Sequence, residues 1–253
     1  EDAMTRKLPT RLRKDLLVGV IFEMRFESVV PLSSILPGLL FNHMPGATIT
    51  KTPVSEIPES IRNTDPNFIY APLVILETEK FQVHIGDKVL QLIYNVPYEG
   101  WDKFKFAIMD VYRKVINYSL INRVVRFSLK YIDIIEPENC SSLDKMLNVN
   151  LSMGNFRLDF NTSQARTEIF NADSVVVIQM AGSAKAEFAN PSIKSREGFL
   201  IDVDCIRNVI SKDLASFESE LSSGLDELHM ITKEYFFSFL TDEALELLGA
   251  EYD

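Results

Sequence analysis

The sequence has few residues of the kinds that most often carry out chemistry. Its 253 residues include only two cysteines and three histidines. Cys140 and Cys205 lie far apart and in no CxxC pair, which argues against a disulfide framework and against a thiolate metal site. Neither cysteine is predicted to be a nucleophile. Cys205 falls in an alternating strand pattern typical of buried thiols, and the acidic residues before Cys140 disfavour a thiolate.

Common catalytic motifs are absent as well. The chain has no GxGxxG or GxxxxGK[ST] phosphate loop, no GxSxG elbow, and no HExxH or HxE…CxxC zinc pattern. These absences argue against a standard nucleotide fold and against the common hydrolase and zinc-enzyme classes. We therefore expect no cofactor, and we lean towards a protein that is not an enzyme.

No long hydrophobic run occurs. The longest apolar stretch, Leu16 to Phe22, has the length of a strand, whereas a membrane helix needs roughly 18 apolar residues. We read Glu1 to Ala3, which precede Met4, as a cloning remnant, and nothing after Met4 resembles a secretory signal. The sequence thus predicts a cytoplasmic protein without a membrane span.

Positive charge is scarce overall but locally concentrated. The 26 basic residues against 36 acidic ones give a net charge of −10, which disfavours duplex nucleic acid as a partner. Residues 5–14 (TRKLPTRLRK) are basic, while the last 36 residues are strongly acidic. We expect the basic segment to be a solvated arm, with a binding site or an intersubunit contact to the acidic tail as alternatives.

Hydrophobic periodicity predicts an α+β fold. Alternation over Val18 to Phe26 indicates a strand, and Gly86-Asp87 is typical of a hairpin turn between two more. Apolar residues from Trp101 to Val115 recur every three or four positions, which predicts a helix. A long strand comes next, with Val125, Phe127, Leu129 and Tyr131 predicted to point inward and Arg126, Ser128 and Lys130 outward.

The second half of the chain repeats this theme. Strands are predicted near 155–161, 165–170, 174–188 and 197–205, before a helix from about 212 to 239. We therefore expect antiparallel sheets, each covered by a long amphipathic helix, in two similar and closely packed halves. The predicted halves are residues 4–137 and 138–253, with one single domain as the alternative. An internal duplication stays open, because the halves share no aligned motif.

Several segments together resemble an uncharacterised, sporadically distributed family of bacterial proteins of about this length. The resemblance rests on "VIFEMRFE", "GWDKF", "RVVRFSLKYIDII" and "LDELHMITKEYFFSFLTDEAL", and it spans nearly the whole chain after Met4. None of these is a catalytic signature, and the family implies no activity. Asp133 stands where the family pattern has Asn, which puts any role of that position in doubt here. The family's patchy distribution resembles that of accessory genes in mobile or defence loci.

Two sets of charged residues are candidates for a site. Arg123, Arg126 and Lys130 form an outward basic row on the central strand, which could bind a phosphate or a partner's carboxylates or form cross-strand salt bridges to Asp202 and Asp204. If the strands were neighbours, Asp133, Asp202 and Asp204 could converge and bind Mg²⁺. Near the C-terminus, Asp226 and His229 lie three residues apart beside a leucine seam, where we expect a solvated or capping role.

Two functions from different classes are consistent with these features. The favoured one is a binding or regulatory protein, with a protein partner or a second copy of itself as its ligand. It predicts that Tyr94, Tyr98, Trp101 and Tyr131 include exposed aromatics on a groove or partner surface. The alternative is a Mg²⁺-dependent hydrolase or nuclease that uses the three aspartates.

Overall fold

A computed structural model describes residues 7–139, 142–188, 190–211 and 213–252. Strands in these residues are β1 (Arg11–Leu12), β2 (Leu17–Ser28), β3 (Thr48–Lys51), β4 (Val74–Glu77), β5 (Phe81–Ile85), β6 (Val89–Tyr94), β7 (Ile121–Ile135), β8 (Ser152–Met153), β9 (Phe156–Arg157), β10 (Gln164–Phe170), β11 (Ser174–Ala186), β12 (Arg196–Asn208) and β13 (Ala250–Glu251). Helices are α1 (Leu36–Phe41), α2 (Glu59–Arg62), α3 (Trp101–Ile116), α4 (Leu143–Met146), α5 (Leu214–Ser238) and α6 (Asp242–Leu248). The mixture of helices and antiparallel strands confirms the α+β class.

One large antiparallel sheet organises the molecule. Its nine strands lie in the order β10-β11-β12-β7-β2-β6-β5-β4-β3. The sequence predicts a separate sheet for each half, but strands of both halves belong to this one sheet. They are joined because β7 pairs with β2 along one edge and with β12 along the other.

The same order of elements occurs twice along the chain. A long strand (β2 or β7) is followed by an antiparallel meander, of four strands (β3 to β6) in the first case and three (β10 to β12) in the second, and then by a long helix. In each case the last strand of the meander pairs with the long strand, as β6 does with β2 and β12 with β7. In this repeated order β7 begins the second unit, whereas the predicted boundary at residue 137 assigns it to the first.

The core lies where the two long helices meet the sheet. On β2, Val20, Phe22, Met24 and Phe26 are buried, as their alternation predicts. Helix α5 packs on β7 and β12 and contacts α3. Gly224 allows a close approach, because a Cβ atom at this position would lie 2.7 Å from Cζ of Phe127. Burial of each large apolar side chain here contributes about 1.5–3 kcal/mol of transfer free energy.

The inward row predicted for β7 is wrong at one residue. Phe127 and Leu129 are buried, but Val125 is exposed. The register between β2 and β7 shifts between Arg25 and Phe26, so that Val124 rather than Val125 faces inward beside Phe26. Such a β-bulge moves the following side chains to the other face, and simple alternation cannot foresee it.

The last helix, α6, has a defined beginning and end. The Thr241 hydroxyl accepts a hydrogen bond from the Ala244 amide at 3.1 Å and so caps α6. Gly249 ends this helix in the left-handed conformation, with φ of 68°.

The basic segment is not the solvated arm that we expected. Arg11 and Leu12 form β1, which pairs with β13 of the same chain. The Arg11 and Arg13 guanidinium groups form ion pairs with Glu251. The basic and acidic ends thus meet within one molecule, although both arginine side chains stay largely solvated. Residues 5 and 6 lie outside the described residues.

Cys205 is buried, as its strand pattern predicts, and burial raises the pKa of its thiol to about 11. Cys140 lies outside the described residues. Within the described ranges, no helix is both long and apolar enough to cross a membrane.

Candidate binding groove

The sheet face opposite the two long helices carries a groove with a volume of about 710 Å³. It crosses five neighbouring strands, from β10 at the edge to β2 near the centre. The floor near β2 and β7 is charged and includes Arg25, Arg126 and Lys130. The floor near β10, β11 and β12 mixes polar residues with an apolar set that includes Phe170, Val175, Val177, Ile206 and Ile210. The groove therefore combines ionic and hydrophobic surface.

Lys130 is paired with the two aspartates of the neighbouring strand. In the β7–β12 register it lies opposite Asp204, and its Nζ is 3.4 Å from a carboxylate oxygen of Asp204 and 3.6 Å from one of Asp202. Burial alone would lower the pKa of Lys130, but the two carboxylates outweigh it and the pKa is raised. These contacts are the cross-strand salt bridges that the sequence predicts as one interpretation of this row.

Both aspartates are held away from water. Burial is the main cause that raises the pKa of Asp202 to about 6, against the opposing effect of Lys130. Burial likewise raises the pKa of Asp204. Asp202 therefore titrates close to the physiological range, which is typical of carboxylates at functional sites.

A second ion-pair cluster lies next to the first. Glu23 accepts hydrogen bonds from Arg25 at 2.6 Å, from Gln91 at 2.8 Å and from Arg126 at 3.3 Å. Burial would raise the pKa of Glu23, but the arginines and the amide together lower it. The Arg25 guanidinium also lies 4.0 Å from the centre of the Tyr70 ring, a cation–π contact that fixes its plane.

Some polar atoms of the two clusters have no hydrogen-bond partner among the described residues. These buried atoms are Nε of Arg126 and Oδ1 of Asp202 and of Asp204. A buried polar group without a partner costs about 1–3 kcal/mol, and a charged one costs more. A sheet face that served only for packing would gain stability from apolar residues here, so the charged floor favours a functional role over a structural one.

Arg123, the third member of the predicted basic row, lies outside this groove. It lines an adjoining cleft of about 380 Å³, which shares Asn208 and Ile210 with the groove. Its guanidinium forms an ion pair with Glu27 at 2.6 Å. The structure thus brings Arg126 and Lys130 together and leaves Arg123 at the margin.

The three aspartates of the predicted metal site do not converge. Asp204 and Asp202 lie opposite Lys130 and Ile132 and share their face of the sheet. Asp133 is the next residue on β7, so its side chain points to the other face. There, burial raises the pKa of Asp133 well above its usual range, with the nearby Asp15 adding to the effect. No group of three or more His, Cys, Asp or Glu side chains in the described part of the chain could hold a metal ion.

The expectation of exposed aromatics is wrong for all four candidates. Tyr94 is buried, and Tyr98, Trp101 and Tyr131 are half-buried. Their rings pack edge to face around Phe104 and against one another, with centroids 5.3–6.4 Å apart. These four residues therefore join helix α3 to the sheet, and they are not on the groove.

Asp226 and His229 join the two long helices. The Trp101 indole donates to Asp226 at 3.0 Å, and its ring stacks on His229 with centroids 4.4 Å apart. His229 also bonds the Tyr131 hydroxyl at 2.9 Å. Burial is the main cause that lowers the pKa of His229 to about 4, so it is neutral at pH 7. Asp226 stays 54% exposed, as we expected, but also contacts α3, whereas His229 is part of the interface between helices and sheet.

Sequence reasoning missed several residues of the groove. Arg25, Arg166 and Phe170, which line it, were not singled out. The 75% exposure of Phe170 is visible only in the structure, since an aromatic residue in a strand is more often packed than exposed. The pairing of β12 with β7, which assembles the groove, leaves no local mark in the sequence.

Comparison of the chain with protein-family models, curated proteins and solved structures found no match in any of the three. The resemblance to an uncharacterised bacterial family stays a prediction. Any assignment of function to this chain therefore rests on the geometry of the groove.

Proposed function

We propose that this chain is a non-catalytic binding or regulatory protein that acts through protein–protein contacts at the groove. One observation carries the proposal. The nine-stranded sheet has its long helices on one face, and the opposite face carries a large groove with half-buried, charged side chains. Grooves that join apolar surface to a few fixed polar groups are typical binding sites.

The chemistry of the floor favours an extended protein segment as the occupant. Arg25 and Arg126 could receive a carboxylate, since guanidinium groups bind carboxylates in a bidentate manner. Phe170 and Ile210, which are 75% and 76% exposed, could cover an apolar side chain a few residues away. A segment with one acidic and one large apolar residue would match both parts of the groove.

We further propose that helices α3 and α5 form a fixed backing layer for each half of the sheet. The aromatic contacts around Phe104 and the stacking of Trp101 on His229 support this role. A rigid backing would hold the groove in shape before a partner arrives, which lowers the entropic cost of binding.

The cellular setting is proposed from the family resemblance alone. It is a bacterial accessory or defence-type locus, with the protein in the cytoplasm. The partner would then be encoded by a neighbouring gene.

A Mg²⁺-dependent hydrolase is the less favoured function. The proposed site needs its three aspartates at one ion, whereas Asp133 points to the opposite face of the sheet from Asp202 and Asp204. Lys130 also lies between the two remaining aspartates and neutralises them.

The test is co-expression of the tagged chain with each product of the genes adjacent to its own. We expect one product to co-purify with the wild-type chain and to be lost with Phe170→Ser. The matched control is Phe106→Ser, because Phe106 is 73% exposed on α3, away from the groove. Equal capture by both variants would show that the groove is not the contact surface.

A further inference from the structure

Strand β10 (Gln164–Phe170) is an open edge of the large sheet. It pairs with β11 on one side and has no strand on the other side among the described residues. An exposed edge of seven residues presents unpaired N–H and C=O groups, which are a template for another strand. The edge is therefore a candidate surface for strand addition.

The hydrogen-bond pattern shows which residues offer their backbone to that edge. The Asn171 amide donates to Ser174 at 2.9 Å, and the Gly182 amide donates to Ser163 at 3.0 Å. Both bonds continue the register of the β10–β11 pair, in which the odd-numbered residues, such as Ser163 and Asn171, direct their N–H and C=O groups towards β11. Because residues of an antiparallel strand alternate in direction, the even-numbered residues of β10 direct their N–H and C=O groups outward.

We propose that a second copy of this chain adds its own β10 antiparallel to this edge. The two-fold axis between the copies would pass beside Thr167, so that Thr167 faces Thr167 and Arg166 of each copy faces Glu168 of the other. Arg166 and Glu168 are both outward-directed residues, so each such pair exchanges two backbone hydrogen bonds as well as an ion pair. The proposal goes beyond the binding groove and does not depend on it.

Charge complementarity selects this register. If the two-fold axis passed beside residue 166 or 168 instead, Arg166 would face Arg166 or Glu168 would face Glu168. Like charges directly opposite each other are destabilising. Within one chain the two side chains form an ion pair at 2.6 Å and stay 55% and 36% exposed. They can therefore exchange partners between copies without disturbing the fold.

The opposite edge of the sheet offers no such match. Strand β3 (Thr48–Lys51) has four residues, all exposed, and its only charged residue is Lys51. Two copies of β3 could not pair opposite charges. At β10, in contrast, Arg166, Glu168 and Phe170 line the groove, so the dimer would join two grooves into one trough.

The test is the molar mass of the purified chain in solution, measured by light scattering over a range of concentrations. We expect a dimer for the wild-type chain and about tenfold weaker dimerisation for Arg166→Glu and for Glu168→Arg, since each change creates two like-charge contacts. The doubly exchanged variant, and an equimolar mixture of the two single variants, should regain the dimer because opposite charges face each other again.

Lys185→Glu is the matched control. Lys185 forms a comparable exposed ion pair with Glu187, also two residues away and at 2.6 Å, but it does not lie on β10. A monomeric wild-type chain overturns the proposal, and so does a dimer that neither single exchange weakens. A wild-type chain that forms the dimer but captures no product of a neighbouring gene would instead point to failure of the groove proposal alone.

Discussion

Replacing Gly224 by alanine is expected to destabilise the protein, although alanine is the better helix former. Gly224 lies within α5, where alanine is favoured over glycine by about 1 kcal/mol. A Cβ atom here would lie 2.7 Å from Cζ of Phe127 and 3.1 Å from Nη1 of Arg207. The arginine can move, but the phenylalanine ring is fully buried and packs on Phe217 with centroids 5.9 Å apart.

Overpacking of this kind costs about 1–3 kcal/mol. Set against the gain in helix propensity, the net loss of unfolding free energy should be about 1 kcal/mol. The matched control is Ser223→Ala, one residue earlier on the exposed side of α5. Its hydroxyl bonds the carbonyl oxygens of Ser219 and Glu220, so its loss should leave stability unchanged or slightly raised.

Urea denaturation followed by circular dichroism measures both variants. We expect a lower midpoint for Gly224→Ala and an equal or higher midpoint for Ser223→Ala. If Gly224→Ala were as stable as Ser223→Ala, α5 could not pack as closely on β7 as the structure has it.

The charged floor and the last helix give further expectations. Burial raises the pKa of Asp202 from 3.8 to about 6, so the native state binds more protons than the unfolded state between these values and loses stability as the pH rises through them. The free energy of unfolding of Asp202→Asn should thus exceed that of the wild type by about 3 kcal/mol at pH 7 and by little near pH 3.5. An equal difference at both pH values would refute this. Lys130→Met leaves both aspartates without their cation and should cost about 2 kcal/mol at pH 7, allowing for the partial exposure of Lys130. An unchanged urea midpoint would contradict that. Thr241→Ala removes the α6 cap and should cost about 1 kcal/mol, whereas no loss in thermal unfolding would argue against the cap. Titration calorimetry should detect no Mg²⁺ binding, and millimolar affinity would reopen the hydrolase hypothesis.

Local patterns predicted the elements of this fold well. The alternation over Val18 to Phe26 and the stripe from Trp101 to Val115 both encode burial directly, because side-chain direction follows the period of a strand or helix. The α6 cap at Thr241 was equally readable, since its donor lies three residues away.

Pairing between distant strands was not readable. Whether Asp202 lies beside Lys130 or beside Asp133 depends on the register of β12 against β7, and a shift of one residue exchanges the two faces. For the same reason the predicted metal site failed, while the salt bridges considered beside it were found. The bulge that exposes Val125 and the single sheet that joins both halves are also consequences of long-range pairing.

Aromatic residues were misjudged for a different reason. Tyr98, Trp101 and Tyr131 carry polar atoms, which made a partner surface plausible. In the structure those atoms bond one another and their neighbours Asp226 and His229, so the rings can lie between helix and sheet. The sequence does not show which distant residues will supply hydrogen-bond partners to buried aromatic side chains.

Photo-crosslinking tests most directly whether the open face of the sheet is the binding surface. A photoreactive phenylalanine analogue would replace Phe170 in the groove or, in a second variant, Phe106 on the helix side, two positions of nearly equal exposure. We predict that the co-purifying partner is attached through position 170 and not through position 106. Attachment through position 106, or equally through both, would contradict a binding surface on the open face.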